Sequence, residues 1–231
     1  MDFKTELYSF LFVSKNNDAH RFIRALEDCS DMYFVGGVLR EYKDKGYIQN
    51  VKDIDIVISI KDRNKFKQIG HEYNHYWNRF KGFKFEIDGL MFDVWEIQNT
   101  WAYREKKIVC NKENYVENLP QTVFLNLDAI VYDWKNDIWY DEVYNRAVET
   151  KILDVVLVDN PTMDSSVLHT ILMKKKYGMQ YSEKLLSVIK NKYNSLESID
   201  LLWHSQFNRY KKEVLTNIIL LRKKHKSPTS I

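Results

Sequence analysis

Two stretches of the sequence, YFVGGVLR at residues 33–40 and KDIDIVISI at residues 52–60, give the strongest indication of the fold. The first segment predicts a short strand, a tight turn at Gly36-Gly37 and a helix that begins directly after the glycines. Glycine lets a backbone approach an anion closely, and the start of a helix offers unpaired N–H groups to phosphate oxygens. The pattern therefore predicts a phosphate-binding turn, with a purely structural glycine pair as the alternative.

The second segment predicts a strand that carries two acids on one face. Residues 54–60 are rich in β-branched side chains, which favour strands. Side chains alternate between the faces of a strand, so Asp53 and Asp55 point to the same side, about 7 Å apart. Two such carboxylates suit Mg²⁺, which keeps waters and takes substrate phosphates. The alternative is a strand end whose acids are simply solvated.

A third acid lies in a predicted β-hairpin. Two apolar-rich runs, residues 83–87 and 90–97, are separated by Asp88-Gly89, a pair that tolerates the positive φ angles of a type I′ turn. Asp93 sits among Phe, Val and Trp in the second run, and a buried acid is costly unless a cation pairs with it. Asp93 either completes a metal site from a neighbouring strand or pairs with a nearby Lys or Arg.

The remaining pattern predicts a mixed α/β body followed by a helical segment. Helices are expected at residues 19–27, 38–45 and 61–69, the last ending at Gly70, and strands at 129–132 and 138–140. From about residue 164 the apolar spacing is helical throughout, up to Val214, Ile218 and Leu221. A boundary near Asp159-Asn160-Pro161 divides the chain into residues 1–160 and an all-helical segment, 161–231.

Composition excludes several classes of protein. The 231 residues are 45% hydrophobic with 7 Gly and 3 Pro, which excludes collagen-like and low-complexity chains. Only two cysteines, Cys29 and Cys110, are present, and they indicate a reducing compartment. No apolar run approaches the ~20 residues of a membrane span, and the first residues lack the order of a signal peptide. We therefore expect a soluble, cytoplasmic protein without a membrane partner.

The charges are distributed unevenly along the chain. Residues 171–231 contain 13 Lys and Arg against 4 Asp and Glu, whereas the whole chain has a net charge of only +3. Tyrosines and a tryptophan interleave with these lysines and could stack on unpaired bases. Candidate RNA-binding residues are Lys174, Lys175, Lys176, Lys211 and Lys212. The alternative is a solvated Lys-rich helix face.

In their order along the chain, these motifs resemble the nucleotidyltransferase superfamily that includes DNA polymerase beta. The closer similarity is to the head domain of bacterial poly(A) polymerases and CCA-adding tRNA nucleotidyltransferases. That family has a Val-Gly-Gly turn, then Arg-Asp, then Asp-x-Asp. Here the matching residues are Val35-Gly36-Gly37, Arg40-Glu41 and Asp53-Ile54-Asp55.

The resemblance implies an α/β (α+β) fold with a small mixed sheet flanked by helices. It implies transfer of a nucleoside monophosphate from an NTP, ATP or CTP being most compatible, to a hydroxyl, with an RNA acceptor possible. Asp53, Asp55 and Asp93 would be catalytic: Asp53 and Asp55 would hold two metal ions, Mg²⁺ (or Mn²⁺), and Asp93 would help to hold the ion that lowers the pKa of the attacking hydroxyl. Gly36, Gly37 and Arg40 would bind the nucleotide.

The sequence also departs from that family. Residues 126–133 resemble a family segment that ends in Ala-Tyr-Asp, but Thr122-Val123-Phe124 stands where the family has Arg-Arg-Asp. Of the family's base-reading helix only Asp164 is present, with Val167 and Thr170 in place of arginines. The departures favour retained metal and triphosphate groups without the base-selecting groups. Small-molecule or protein acceptors, and an inactive nucleotide-binding module, stay open as alternatives.

A competing motif is His71-Glu72-Tyr73-Asn74-His75, which matches the H-E-x-x-H pattern of zinc peptidases. In that pattern two histidines on one face of a helix bind zinc and the glutamate is the general base. The longer form would need Gly and His where Asn78 and Lys81 stand. The peptidase is therefore a remote alternative.

Overall fold

The computed structural model describes residues 2–12, 17–78 and 80–211. The helices of four or more residues are α1 (Phe3–Leu11), α2 (Asp18–Cys29), α3 (Gly37–Lys45), α4 (Arg63–Glu72), α5 (Trp101–Arg104), α6 (Tyr115–Asn118), α7 (Glu142–Thr150), α8 (Met163–Tyr177), α9 (Glu183–Lys192) and α10 (Leu196–Tyr210). The strands are β1 (Ser30–Val35), β2 (Asp53–Ile60), β3 (His75–Trp77), β4 (Phe83–Ile87), β5 (Leu90–Glu96), β6 (Val131–Asp133), β7 (Ile138–Tyr140), β8 (Ile152–Leu153) and β9 (Gln180–Tyr181).

Seven strands form one mixed sheet in the order β3-β4-β5-β2-β1-β6-β7. Every neighbouring pair is antiparallel except β2 and β5, which run parallel. The predicted hairpin is confirmed, because Ile87 pairs with Leu90 and both turn residues, Asp88 and Gly89, have positive φ. The sheet and its helices confirm the expected mixed α/β fold.

One face of the sheet carries the main apolar core. Phe34, Ile56 and Phe92, on three neighbouring strands, are fully buried there. Helices α1 and α2 cover this face, since Phe3 packs edge-on against Phe34 and Phe22 lies 4.9 Å from the ring of Phe92. Each buried aromatic ring stabilises the fold by about 1.5–3 kcal/mol, so this layer fixes the position of β1, β2 and β5.

The opposite face is covered over only part of its width. Tyr33, Val57 and Val131 pack there in one apolar cluster with Ile97 and with side chains from the following segment. The segment contains α5 and α6 and contributes Tyr103, Leu119 and the partly buried Tyr115 to the cluster. Toward β4 and β5, charged side chains replace this apolar layer.

Contact density divides the described chain into two compact units. The first comprises the residues up to Thr122 together with Asp128–Tyr144, and the second comprises Val123–Leu127 together with residues 145–211. The predicted boundary near residue 160 stays a prediction. In the second unit helices α8, α9 and α10 follow residue 160, which confirms the expected helical segment, whereas the two-residue strand β9 (Gln180–Tyr181), parallel to β8, was not predicted.

One local expectation in the first unit was wrong. Helix α4 does not end at Gly70 but continues to Glu72, and the ring of His75 lies against Gly70, with Nδ1 3.0 Å from the Gly70 carbonyl oxygen. The short edge strand β3 was not predicted. The helical spacing noted at Val214, Ile218 and Leu221 lies outside the described residues. Among the described residues, no helix is both long and apolar enough to cross a membrane.

Candidate functional site

A row of polar side chains crosses the sheet near the first residues of β2. Asp55 on β2 pairs in register with Asp93 on the parallel strand β5. Asp93 pairs with Lys84 on β4, and Lys84 with Tyr76 on the edge strand β3. Residues in register on adjacent strands share a face, so these four side chains form one cross-strand row, and Asp53 lies on the same face two residues before Asp55. The structure thus places the three predicted acids together.

The three acids differ in their surroundings. Asp53 is exposed, Asp55 is partly buried, and Asp93 is only 9% exposed. Burial and the neighbouring Asp93 carboxylate raise the pKa of Asp55 from its ordinary value of 3.8 to about 7. Burial also raises the pKa of Asp93, against the opposing effect of Lys84. The row therefore concentrates negative charge where water screens it poorly, an environment that favours binding of a cation.

Lys84 is a site residue that was not singled out from the sequence. Its Nζ donates to Asp93 Oδ2 at 2.5 Å, whereas Asp93 Oδ1 is buried and accepts no hydrogen bond. The two-residue turn at Asp88-Gly89 could have revealed this contact, because pairing of residues 87 and 90 also sets residue 84 opposite residue 93. The alternative noted for Asp93, pairing with a lysine, is thus present in the structure.

The glycine turn lies against the acid row. Gly36 has φ of +74°, and a Cβ at that position would lie 3.0 Å from Asp55 Oδ2. Helix α3 begins at the next residue without a side-chain cap on its first turn. Glycine is thus needed at Gly36 both for its backbone conformation and for the close approach of Asp55. The uncapped N–H groups of α3 therefore start beside the acids, where they can bind an anion.

Arg40 is placed near these groups, but it already has an acidic partner. Its guanidinium forms a partly buried ion pair with Asp128, which precedes β6. Arg40 also lowers the pKa of Asp55, although burial and Asp93 outweigh it. A phosphate would therefore share Arg40 with Asp128.

Glu41 holds the segment that leads into β2. One of its carboxylate oxygens accepts hydrogen bonds from the backbone N–H groups of Gln49 and Asn50 and from Lys45 Nζ, at 3.0–3.1 Å. These hydrogen bonds lower the pKa of Glu41, although burial opposes them. The glutamate at this position of the motif fixes the loop immediately before Asp53.

The donor set suits a magnesium ion completed by substrate, not a closed protein cage. Within residues 2–12, 17–78 and 80–211 no group of three or more His, Cys, Asp or Glu side chains is assembled to hold a metal ion. Mg²⁺ is usually bound through one or two carboxylates together with substrate phosphates and waters. Asp53 and Asp55 fit that chemistry, and the unpaired Oδ1 of Asp93 lies on the adjoining strand.

The zinc-peptidase alternative is wrong. Helix α4 ends at Glu72, Tyr73 is extended, and His75 begins β3. His71 and His75 therefore do not lie one turn apart on a single helix, as the H-E-x-x-H pattern requires.

In the second unit the two positions that the resemblance matches to the family's base-reading arginines are buried. Val167 and Thr170 on α8 are fully buried, and Asp164 accepts a 2.6 Å hydrogen bond from the hydroxyl of Tyr193. The two positions that carry arginines in the family are therefore part of the core of this unit.

The described candidate RNA-binding lysines of the second unit lie at the ends of two helices. Lys175 and Lys176 are exposed at the end of α8, whereas the Lys174 ammonium lies 4.3 Å from the centre of the Tyr181 ring. Lys211 is exposed at the end of α10, and Lys212 lies outside the described residues. Their role in binding RNA stays a prediction.

Comparison with solved structures identifies the fold. A CCA-adding enzyme in complex with CTP has a TM-score of 0.61 and 15% identity, over 94% of this chain and 53% of that one. The complex of a CCA-adding enzyme with ATP has a TM-score of 0.60 and 16% identity, over 97% and 52%. The Thermotoga maritima CCA-adding enzyme complexed with tRNA has a TM-score of 0.59 and 15% identity, over 94% and 53%.

These similarities establish the fold and nothing further, because the identities are low. The chain spans about half the length of the three proteins. No family model matches the sequence, and no curated protein is significantly similar to it. The fold predicted from the glycine turn and the Asp-x-Asp strand is confirmed.

Proposed function

We propose that this protein transfers a nucleoside monophosphate from an NTP to a hydroxyl acceptor and releases pyrophosphate. The single observation that carries the proposal is the register of Asp55 with Asp93 beside the Gly36 turn and the uncapped start of α3. This arrangement places a carboxylate pair next to backbone donors, so a divalent cation and a triphosphate could be bound side by side. The similar solved structures include complexes with CTP, ATP and tRNA, which supports the same reaction class.

In the proposed reaction the chain acts by binding and positioning. Asp53 and Asp55 would hold Mg²⁺ or Mn²⁺, which when bound would neutralise phosphate charge and lower the pKa of the attacking hydroxyl. The N–H groups at Gly37 and the next residues of α3, beside Gly36, receive the terminal phosphates, and Arg40 adds positive charge. The acceptor oxygen bonds to the α-phosphorus, the bond to the pyrophosphate oxygen breaks, and the acceptor proton passes to solvent. Catalysis of this kind depends on orientation and charge stabilisation.

The acceptor we propose is RNA, with ATP or CTP as the donor. The exposed lysines at the end of α8 and the tRNA complex among the similar structures support it. The burial of Val167 and Thr170, which stand where the family has arginines, argues against a CCA-adding reaction of the usual kind. That observation favours a second candidate, in which the acceptor is a small molecule or a protein hydroxyl. The cytoplasmic location expected from the cysteine usage stays a prediction.

Label transfer separates these candidates. The protein is incubated with Mg²⁺, each α-labelled NTP in turn, and total small RNA, a mixture of aminoglycosides or a protein extract. We expect label on RNA with one or two NTPs, and none with the Asp53→Asn/Asp55→Asn double variant. The matched control is Asp31→Asn, an acid on the same face of the sheet at the other end of β1. Label on another acceptor would replace RNA, and no label on any acceptor would favour the inactive binding module.

A further inference from the structure

Lys84 occupies a position where a cation is expected. It belongs to β4, opposite Asp93, and its ammonium contacts Asp93 Oδ2 at 2.5 Å. The side chains of Lys84 and Asp93 are 27% and 13% exposed, so solvent screens this pair less than an ordinary surface pair. The two-residue turn between β4 and β5 fixes the register. Lys84 is therefore held beside the acids by the fold itself.

The charge of the row then suits one divalent ion. When a bound cation keeps them ionised, Asp53, Asp55 and Asp93 carry three negative charges, and the Lys84 ammonium cancels one of them. Arg40 is already paired with Asp128. Two negative charges are left, which a single divalent cation balances. A second divalent cation at Asp93 would meet the ammonium at a distance where like charges repel strongly.

We propose that Lys84 replaces a second metal ion at Asp93, so that the site binds one divalent cation, on Asp53 and Asp55. This inference rests on the proposed function. Lys84 is then a positioning residue that orients Asp93 Oδ2 and supplies permanent positive charge next to the transferred phosphoryl group.

The test is a Mn²⁺ titration followed by the electron paramagnetic resonance signal of free Mn²⁺, with the whole protein and a non-hydrolysable NTP analogue. We expect one bound ion for the wild type. In Lys84→Met we expect a second ion, or affinity for the first that rises about tenfold or more, because a nearby like charge is removed. Lys84→Arg should restore the wild-type titration, since it keeps the charge.

The matched control is Lys61→Met, which removes a lysine from another 2.5 Å ion pair, with Asp31. Its titration should equal that of the wild type, and thermal unfolding of each variant verifies the fold. Two ions in the wild type, no Mn²⁺ binding in the wild type, or identical titrations for Lys84→Met and Lys61→Met would overturn the inference. The label-transfer assay tests the proposed function separately, because it does not depend on how many ions bind.

Discussion

The two units of the chain both contain residues that the sequence assigns to the proposed reaction, but the surroundings of these residues differ. In the first unit Asp55, Asp93, Lys84 and Gly36 contact one another or lie in register across three strands. In the second unit Val167 and Thr170 are buried, and the described candidate lysines lie at the ends of α8 and α10. Strand register concentrates side chains at one place, whereas a basic helix only distributes charge along its length. The proposed function therefore rests mainly on residues of the first unit.

The largest expected effect tests the acid row. Asp55→Asn keeps the size of the side chain but removes a charge that binds the metal. We expect the turnover number for nucleotidyl transfer to fall about 10³-fold or more, since metal stabilisation of the transition state amounts to several kcal/mol. Single-turnover transfer of α-labelled NTP measures it. Asp31→Asn should retain nearly full activity, and equal activity of the two variants would contradict the site.

A smaller effect is expected at the glycine turn. Gly36→Ala adds a Cβ 3.0 Å from Asp55 Oδ2, so the carboxylate must move, and we expect turnover to fall about 10- to 100-fold. The matched control is Gly46→Ala, which has nearly the same positive φ, +77°, and open space around the added Cβ. Gly46 has the left-handed helical conformation (ψ 3°), in which alanine costs roughly 1–2 kcal/mol, whereas Gly36 (ψ −133°) lies outside it and alanine there costs more. Thermal unfolding of both variants is therefore measured, and turnover is compared well below both midpoints. A similar loss of turnover in both would refute the role of the Asp55 contact.

A third prediction tests whether the exposed lysines at the end of α8, in the second unit, bind RNA. If Lys175 and Lys176 contact RNA phosphates, the Lys175→Ala/Lys176→Ala double variant should lower the slope of log affinity against log salt by about 1.4, at ~0.7 per single-strand contact. Fluorescence anisotropy with a labelled small RNA at several salt concentrations measures this. The control is Lys65→Ala/Lys67→Ala, two exposed lysines on α4. Equal slopes in the two variants would return the α8 lysines to a solvated face.

The last prediction concerns stability in place of activity, as a dependence of unfolding on pH. The pKa of Asp55 is raised from 3.8 to about 7, so the folded state holds a proton that the unfolded chain releases. The contribution is therefore fully present below pH 3.8 and is lost as the pH rises to about 7. Urea unfolding in EDTA should show the metal-free protein losing stability over that range, and less so in Asp55→Asn. Parallel curves for the two proteins would contradict the assigned burial of Asp55.

Much of the first unit could be predicted from the sequence because the patterns that indicate its strands and turns are local. Alternation along β2 placed Asp53 and Asp55 on one face, and Asp88-Gly89 predicted the hairpin that carries Asp93. The same turn implied the Lys84 contact, which a stricter use of register would have found.

Most features that the sequence did not predict depend on contacts between residues far apart in the sequence. Arg40 meets Asp128 across 88 residues, and β8 pairs with β9 from the other side of α8. The end of helix α4 at Glu72, by contrast, lies beside a contact only five residues long in sequence, between the His75 ring and Gly70, which helix propensity does not contain. Such packing decides the ends of elements and the partners of charges, so it was visible only in the structure.

The most direct test of the central claim measures two products in one reaction. The wild type, Mg²⁺, the preferred α-labelled NTP and its acceptor are mixed, and acceptor-bound label and released pyrophosphate are both counted. Nucleotidyl transfer at the acid row predicts equal amounts of the two, and neither product with the Asp53→Asn/Asp55→Asn double variant. Phosphate released without label transfer, or unchanged product formation by the double variant, would contradict the account.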